Sequence, residues 1–374
     1  MLVFQKKNLV AVISIVVTFS TLGFILLNAS SWNSANDPLN LDENYESNIS
    51  KLPESSELSE IPWADTYWPS NQGGISARWD SSGLNIYSLF RNRYYMRSTF
   101  DYSPYSLVDL KSMTLNEISE LSPAEKFDIV CNNFDYPTVQ AEKNRCSQFL
   151  DDWEGLCDGW AQASLNFKEP KPVIFETNEG LQVPFGSSDI KALLIYYLAV
   201  VDKKEVNLLG TRCNENNFYY RRSVNSPEYN DVNAGAFHIV LTNFIGLKSK
   251  GLIADISPGY QIWNKPIFGY ETTIDGENYN ITDSDANGTA KKLQVTTVIK
   301  YRTESDKSWD PLYDSSKYID YSEYRYNLEL NANNEIIGGS WISKSHPDFL
   351  WQQEIPEFID NYKIIENIYN LSQN

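Results

Sequence analysis

Ala236-Phe237-His238-Ile239-Val240-Leu241 and, after a short connection, Leu252-Ile253-Ala254-Asp255-Ile256 are two apolar runs, each carrying one polar residue with acid-base chemistry. Their length and β-branched content predict two strands, and the intervening Ile245-Gly246-Leu247-Lys248 predicts an antiparallel hairpin between them. A turn centred on Gly246-Leu247 sets residue 238 opposite residue 255, so imidazole and carboxylate fall side by side on one face. An aspartate there orients the ring, selects its tautomer and stabilises the imidazolium. A core histidine satisfied by a core aspartate is the bland alternative. His238 and His346 are the only histidines, so imidazole chemistry has two candidates. His346, just before Pro347, reads as a surface or loop residue.

Upstream lies Trp153-Glu154-Gly155-Leu156-Cys157-Asp158-Gly159-Trp160. The glycines allow a tight turn into a helix that starts near Cys157. A thiol at a helix N-terminus meets free N–H groups and the positive end of the dipole, which favour the thiolate. The same N–H groups suit the oxyanion of a tetrahedral intermediate. Cys157, His238 and Asp255 are therefore candidates for the nucleophile, base and carboxylate of an acyl-transfer site. The competing reading of Cys157 is a half-cystine in an exported chain.

Helices and a further hairpin are predicted around these residues. Ser122-Pro123-Ala124-Glu125 is a capped helix start with proline at the first helical position, and the helix should run to about residue 131. Ile190, Leu193, Leu194, Tyr197, Leu198 and Val201 recur at helical spacing. Residues 324–330 and 336–343 alternate around Asn331-Ala332-Asn333-Asn334, which predicts a hairpin extending the same sheet, and residues 357–371 predict a closing amphipathic helix.

The chain has 374 residues, 42% of them apolar, enough for a sizeable core. Its net charge of -18 argues against nucleic acid as a partner and favours cationic or lysine-rich ones. Lys6 and Lys7 precede an uncharged stretch, residues 9–27, that reads as an export signal: either a signal peptide cleaved near residue 29 or an anchor in the membrane. Residues 30–60, polar and acidic, read as a disordered tether, and residues 61–374 as the catalytic domain. With Cys157 as nucleophile, Cys131, Cys146 and Cys213 remain; Cys131 with Cys146, flanking a short polar connection, is the preferred disulfide. Asp283-Ser284-Asp285-Ala286-Asn287-Gly288 opens like a calcium loop, but Lys291 and Gln294 stand at positions nine and twelve, so calcium is weakly supported and an Asx-rich turn is favoured.

Several ordered motifs are similar to those of the transglutaminase elicitor family of secreted cysteine acyltransferases: Pro62-Trp63-Ala64-Asp65-Thr66-Tyr67-Trp68-Pro69, Leu121-Ser122-Pro123-Ala124-Glu125-Lys126, the Cys157 segment, Gly235 to Asn243, and Ala254-Asp255 with Trp263-Asn264-Lys265-Pro266 and Gly269-Tyr270-Glu271. The resemblance spans about residues 62–351. It implies a papain-like α+β fold, with Cys157 as nucleophile on a helix packed against a sheet carrying His238 as base and Asp255 as carboxylate. It also implies substrate proteins bearing Gln and Lys side chains; the sequence by itself requires no cofactor. The chain departs from the family pattern at Asp158 and Gln162, where histidine and proline are expected, and at Tyr229, where a cysteine is expected; Cys213 thereby loses its partner. Asp158 would raise the thiol's pKa unless it points away. The expected reaction is transfer of a glutamine acyl group to lysine or water through a Cys157 thioester. The alternatives are a cysteine protease or amidase, and an exported binding protein whose site has decayed.

Overall fold

A computed structural model describes residues 32–79, 100, 102–204, 206–212, 231–256 and 261–374. The export segment and Cys213 lie outside the described residues. The helices are α1 (Leu107–Ser112), α2 (Leu115–Ser119), α3 (Pro123–Val130), α4 (Pro137–Arg145), α5 (Cys157–Asn166), α6 (Ser187–Tyr196), α7 (Ala234–Leu241) and α8 (Lys363–Ser372). The strands are β1 (Ser55–Glu57), β2 (Val173–Glu176), β3 (Gln182–Phe185), β4 (Leu208–Gly210), β5 (Leu252–Asp255), β6 (Asn264–Asn278), β7 (Lys291–Arg302), β8 (Ile319–Leu330), β9 (Ile336–Trp341) and β10 (Phe349–Trp351). An antiparallel sheet runs β4-β10-β5-β6-β7-β8-β9, with β1 also beside β6; β2 and β3 form a separate hairpin.

The predicted capping box holds: Ser122 Oγ accepts from Glu125 N–H at 3.2 Å and Glu125 Oε2 accepts from Ser122 N–H at 3.0 Å. The 190–201 periodicity corresponds to α6 and a π-helical turn, Tyr197–Val201, and the 324–343 hairpin to β8 and β9. The closing helix starts later than predicted, at Lys363, after a 3₁₀ turn at Asp360–Tyr362.

Two cores lie on opposite faces of the sheet. Alternation along β5 shows the division: Ile253 joins the core with Trp63, Trp160, Ile195 and Trp351, whereas Leu252 and Ala254 join the core with Phe237, Val240, Tyr326 and Leu328. Helix α5 packs on β5 and β6 in the first layer, and α7 packs on β8 and β9 in the second.

The 236–241 run is a helix, which overturns the predicted hairpin. Asn233 caps it, its Oδ1 accepting from Gly235 N–H at 2.8 Å. Thr242 and Asn243, which would have ended a strand, reach back to the carbonyls of His238 and Ile239 at 2.7 and 2.8 Å, and a π-helical turn, Thr242–Leu247, prolongs the element. A continuous apolar run is compatible with either state, because an element buried on every side shows no periodicity. Gly235 lets the helix approach β9, since a Cβ there would collide with the Gly338 carbonyl.

The segment predicted as a tether is ordered from residue 32. Asp37 and Asn48 cap short 3₁₀ turns, Asp42 pairs with Lys248, and Glu46 exchanges hydrogen bonds with the Asn243 side chain at 2.8 Å. Strand β1 then pairs with β6 from Gly269 to Glu271, beyond the end of the shorter β5, and satisfies an edge that would otherwise be unpaired. Polar side chains that suggest disorder serve here as caps.

Cys131, Cys146 and Cys157 are free thiols, so the predicted Cys131–Cys146 bridge is absent. Cys131 caps the end of α3 and Cys146 the end of α4. Their surroundings differ: the Cys131 sulfur lies 3.9 Å from the Asn361 carbonyl, whereas the Cys146 sulfur packs beside Gly74. His346 lies in the loop between β9 and β10, half-buried, its ring stacked on Trp341 with centroids 4.8 Å apart.

Candidate active site

Cys157 is the first residue of α5, as the glycine-flanked sequence predicted. The turn ahead of it is held from outside: Leu156 N–H donates to the Tyr67 carbonyl at 2.7 Å. The extended 62–69 segment is itself anchored on α6, where Ser188 Oγ donates to Asp65 Oδ1 at 2.8 Å and Lys191 Nζ to the Ala64 carbonyl at 3.1 Å. Burial pushes the Asp65 carboxyl up to about 7. Gly159 brings α5 against α6, for a Cβ there would strike the Ile195 carbonyl.

The thiol is only 7% exposed, at the wall of a cavity of about 290 Å³. Its sulfur lies 3.7 Å from the Ile262 carbonyl and 3.6 Å from Asn264 Nδ2. Trp351 Nε1 donates to Asn264 Oδ1 at 2.8 Å. An indole can only donate, so the amide oxygen must face Trp351 and the NH₂ group must face sulfur. Burial pushes the Cys157 thiol up to about 12, Asp158 adds to the rise, and the Asn264 contacts oppose it. Burial of the thiol thus runs against the expectation of an activated thiolate. Asp158 does not point clear of the site: it lines the cavity, with Oδ1 accepting from Gly159 N–H at 2.9 Å. Burial raises its own carboxyl pKa, and the Gly159 N–H and Lys203 moderate that rise.

Asp255 ends β5, fully buried, with Asn264 opposite on β6 and Phe349 opposite on β10. Directly opposed residues of antiparallel strands share a face, so Asp255 shares the face of Asn264, toward Cys157. Its Oδ1 accepts from Trp263 N–H at 3.0 Å. His238 is elsewhere. It projects from α7 into the second core, where Nδ1 meets Tyr326 Oη at 2.8 Å, and Tyr326 Oη in turn meets Thr297 Oγ1 at 2.7 Å. Burial alone drives its pKa down to about 4. The structure therefore brings Cys157 and Asp255 to one face of the sheet and sets His238 on the other.

Asn264 and Trp351 escaped assignment from sequence. Asn264 lies in the motif Trp263-Asn264-Lys265-Pro266, and the signal the sequence offers for it is a carboxamide just ahead of the apolar Pro266-Ile267-Phe268. Among the described residues no cluster of His, Cys, Asp and Glu side chains gathers to hold a metal ion. In the calcium-like segment, Asp285 accepts from Thr282 N–H at 2.6 Å and pairs with Lys292 at 2.9 Å, so protein donors already engage its carboxylate.

The transglutaminase elicitor profile matches residues 39–358. The chain belongs to the transglutaminase elicitor family. No curated protein matches this family member in sequence. Its fold is similar to the crystal structure of the GP42 transglutaminase from Phytophthora sojae, with a TM-score of 0.63 over 92% of this chain and 98% of that one, at 19% identity. This elicitor-family chain is transglutaminase-like, a mixed fold of helices and antiparallel sheet. Among the described residues no helix is long and apolar enough to cross a membrane.

Proposed function

We propose that the protein is an exported cysteine acyltransferase acting on protein-bound glutamine, with Cys157 as nucleophile. The observation supporting this reading is a thiol on the first residue of a helix, open to a cavity, with the amide of a tethered asparagine against its sulfur. In the proposed cycle Cys157 gives up its proton and sulfur attacks the glutamine carboxamide carbon. The C–S bond forms as the carbonyl becomes an oxyanion, whose collapse expels ammonia and leaves a thioester. Attack by a lysine amine or water breaks the C–S bond and returns the thiol. The Asn264 NH₂ donates to sulfur at rest and to the developing negative charge during attack. We assign the proton to Asp255, which takes it from the thiol, delivers it to ammonia and takes one from the incoming nucleophile. His238 has no step. Its role is to seat α7 on β8 through Tyr326.

A second reading has three observations in its favour. The thiol is buried, its pKa is raised, and no histidine shares its face among the described residues, which suits a binding protein whose chemistry has lapsed.

The deciding experiment mixes the region from residue 31 onward with a glutamine-bearing protein and a labelled primary amine, with and without calcium, beside Cys157→Ala. Label incorporation and ammonia release, both lost in the variant, are expected. Ammonia without label identifies a deamidase; peptide cleavage with neither identifies a protease. No turnover of any kind, with Cys157 inert to alkylation, supports the binding protein.

A further inference from the structure

Among the described residues, the charged side chains lining the Cys157 cavity are Lys203, Lys204, Arg212 and Asp158. These three cations and one anion give the described lining a positive excess in a chain of net charge -18. Lys203 and Lys204 follow the π-helical turn beyond α6, and Arg212 follows β4, so two separate segments bring the cations to one cavity. All three are exposed, whereas the thiol is buried, so the positive groups form the rim and the sulfur lies within. They are weakly neutralised. Lys204 lies 3.5 Å from Asp202 with its own side chain 54% exposed, and Arg212 is exposed to solvent. Lys203 acts inward, on the Asp158 carboxylate.

Long-range attraction by the acidic chain favours cationic partners, but it is screened beyond about 10 Å at ordinary ionic strength. Inside that distance the local rim decides which peptide docks. We propose that the acyl donor is a glutamine flanked by aspartate or glutamate, its acidic neighbours held at Lys203, Lys204 and Arg212 while the carboxamide reaches Cys157. The proposal rests on the reading of this cavity as the donor site. It divides the charge of the molecule between two tasks: the rim selects the donor, and the acidic remainder attracts the lysine acceptor.

The test is peptide binding to the Cys157→Ala protein, read by fluorescence anisotropy, with one glutamine peptide flanked by glutamates and a second of the same length flanked by lysines. The acidic peptide should bind roughly tenfold more tightly at low salt, the scale expected of a few exposed ion pairs acting together. About 0.5 M salt should erase the difference. Lys203→Glu, Lys204→Glu and Arg212→Glu combined should invert the preference, and the corresponding glutamine substitutions should abolish it. Equal binding of the two peptides, tighter binding of the lysine peptide, or a preference untouched by the substitutions would overturn the proposal. Because the nucleophile is absent, failure of the transferase reading leaves this result standing. A clear acidic preference with no turnover by the unaltered protein would retain the rim and remove the chemistry.

Discussion

The Trp351 indole N–H donates to Asn264 Oδ1 at 2.8 Å, and this bond determines that the NH₂ end of the amide lies 3.6 Å from the Cys157 sulfur. A residue outside the predicted triad is thereby the polar side chain in contact with the thiol.

Replacing Asn264 with leucine should remove a donor to developing negative charge. We expect kcat for amine incorporation to fall about 10²-fold with KM little changed. Trp351→Phe keeps the packing but frees the amide to rotate, and should produce a smaller loss in the same parameter. A kcat for Asn264→Leu within twofold of the unaltered protein would exclude the role assigned to this amide.

Cys157 should be a slow nucleophile at rest. With its pKa pushed up to about 12, mainly by burial, alkylation by iodoacetamide should accelerate about tenfold per pH unit from pH 7 to 10 without a plateau. The Asp158 carboxylate raises that pKa, so Asp158→Asn should lower it and quicken alkylation at pH 8. A plateau near pH 7 would show an activated thiolate instead.

His238→Gln should change kcat by less than roughly threefold, against the losses of 10³-fold or more that follow removal of a triad base. Its effect should appear in stability. The folded pKa is depressed to about 4, so as pH falls below the ordinary 6.5 the unfolded chain takes up a proton that the fold refuses. Stability from this site is complete above pH 6.5 and declines toward pH 4, by up to about 3 kcal/mol. Urea midpoints at pH 7 and pH 4.5 should converge in the variant by the corresponding amount.

Removing residues 31–57 should destabilise the domain, because β1 covers the β6 edge and Leu52 is buried in the second core. Loss of that leucine's burial alone corresponds to about 2 kcal/mol. A melting temperature unchanged by the deletion would restore the view of this segment as a tether.

Where local chemistry suffices, the sequence was readable. Ser122 with Glu125 signals a helix start because both partners lie within one turn, and Asn331 to Asn334 signals a hairpin because the turn residues are contiguous. The 236–241 run was misread because it is apolar all round, buried between the sheet and residues from the N-terminal segment, and so lacks the periodicity that separates strand from helix. Asn233 was the available local cue. The paired cysteines were misread for a related reason: a short connection brings neighbouring helix ends together, and Cys146 lies at the far end of α4.

By itself the sequence determined that Cys157 begins a helix, since Gly155, Gly159 and a helix-compatible run act over a few residues. It also confined imidazole to two positions and placed an aspartate at the end of a buried strand. Only the tertiary structure decided which side chains share a face with the thiol. That depends on strand register, which alternates faces at every residue, and on which side of the sheet each helix packs. The layering that puts α5 on one side and α7 on the other excludes His238 from the site and admits Asn264.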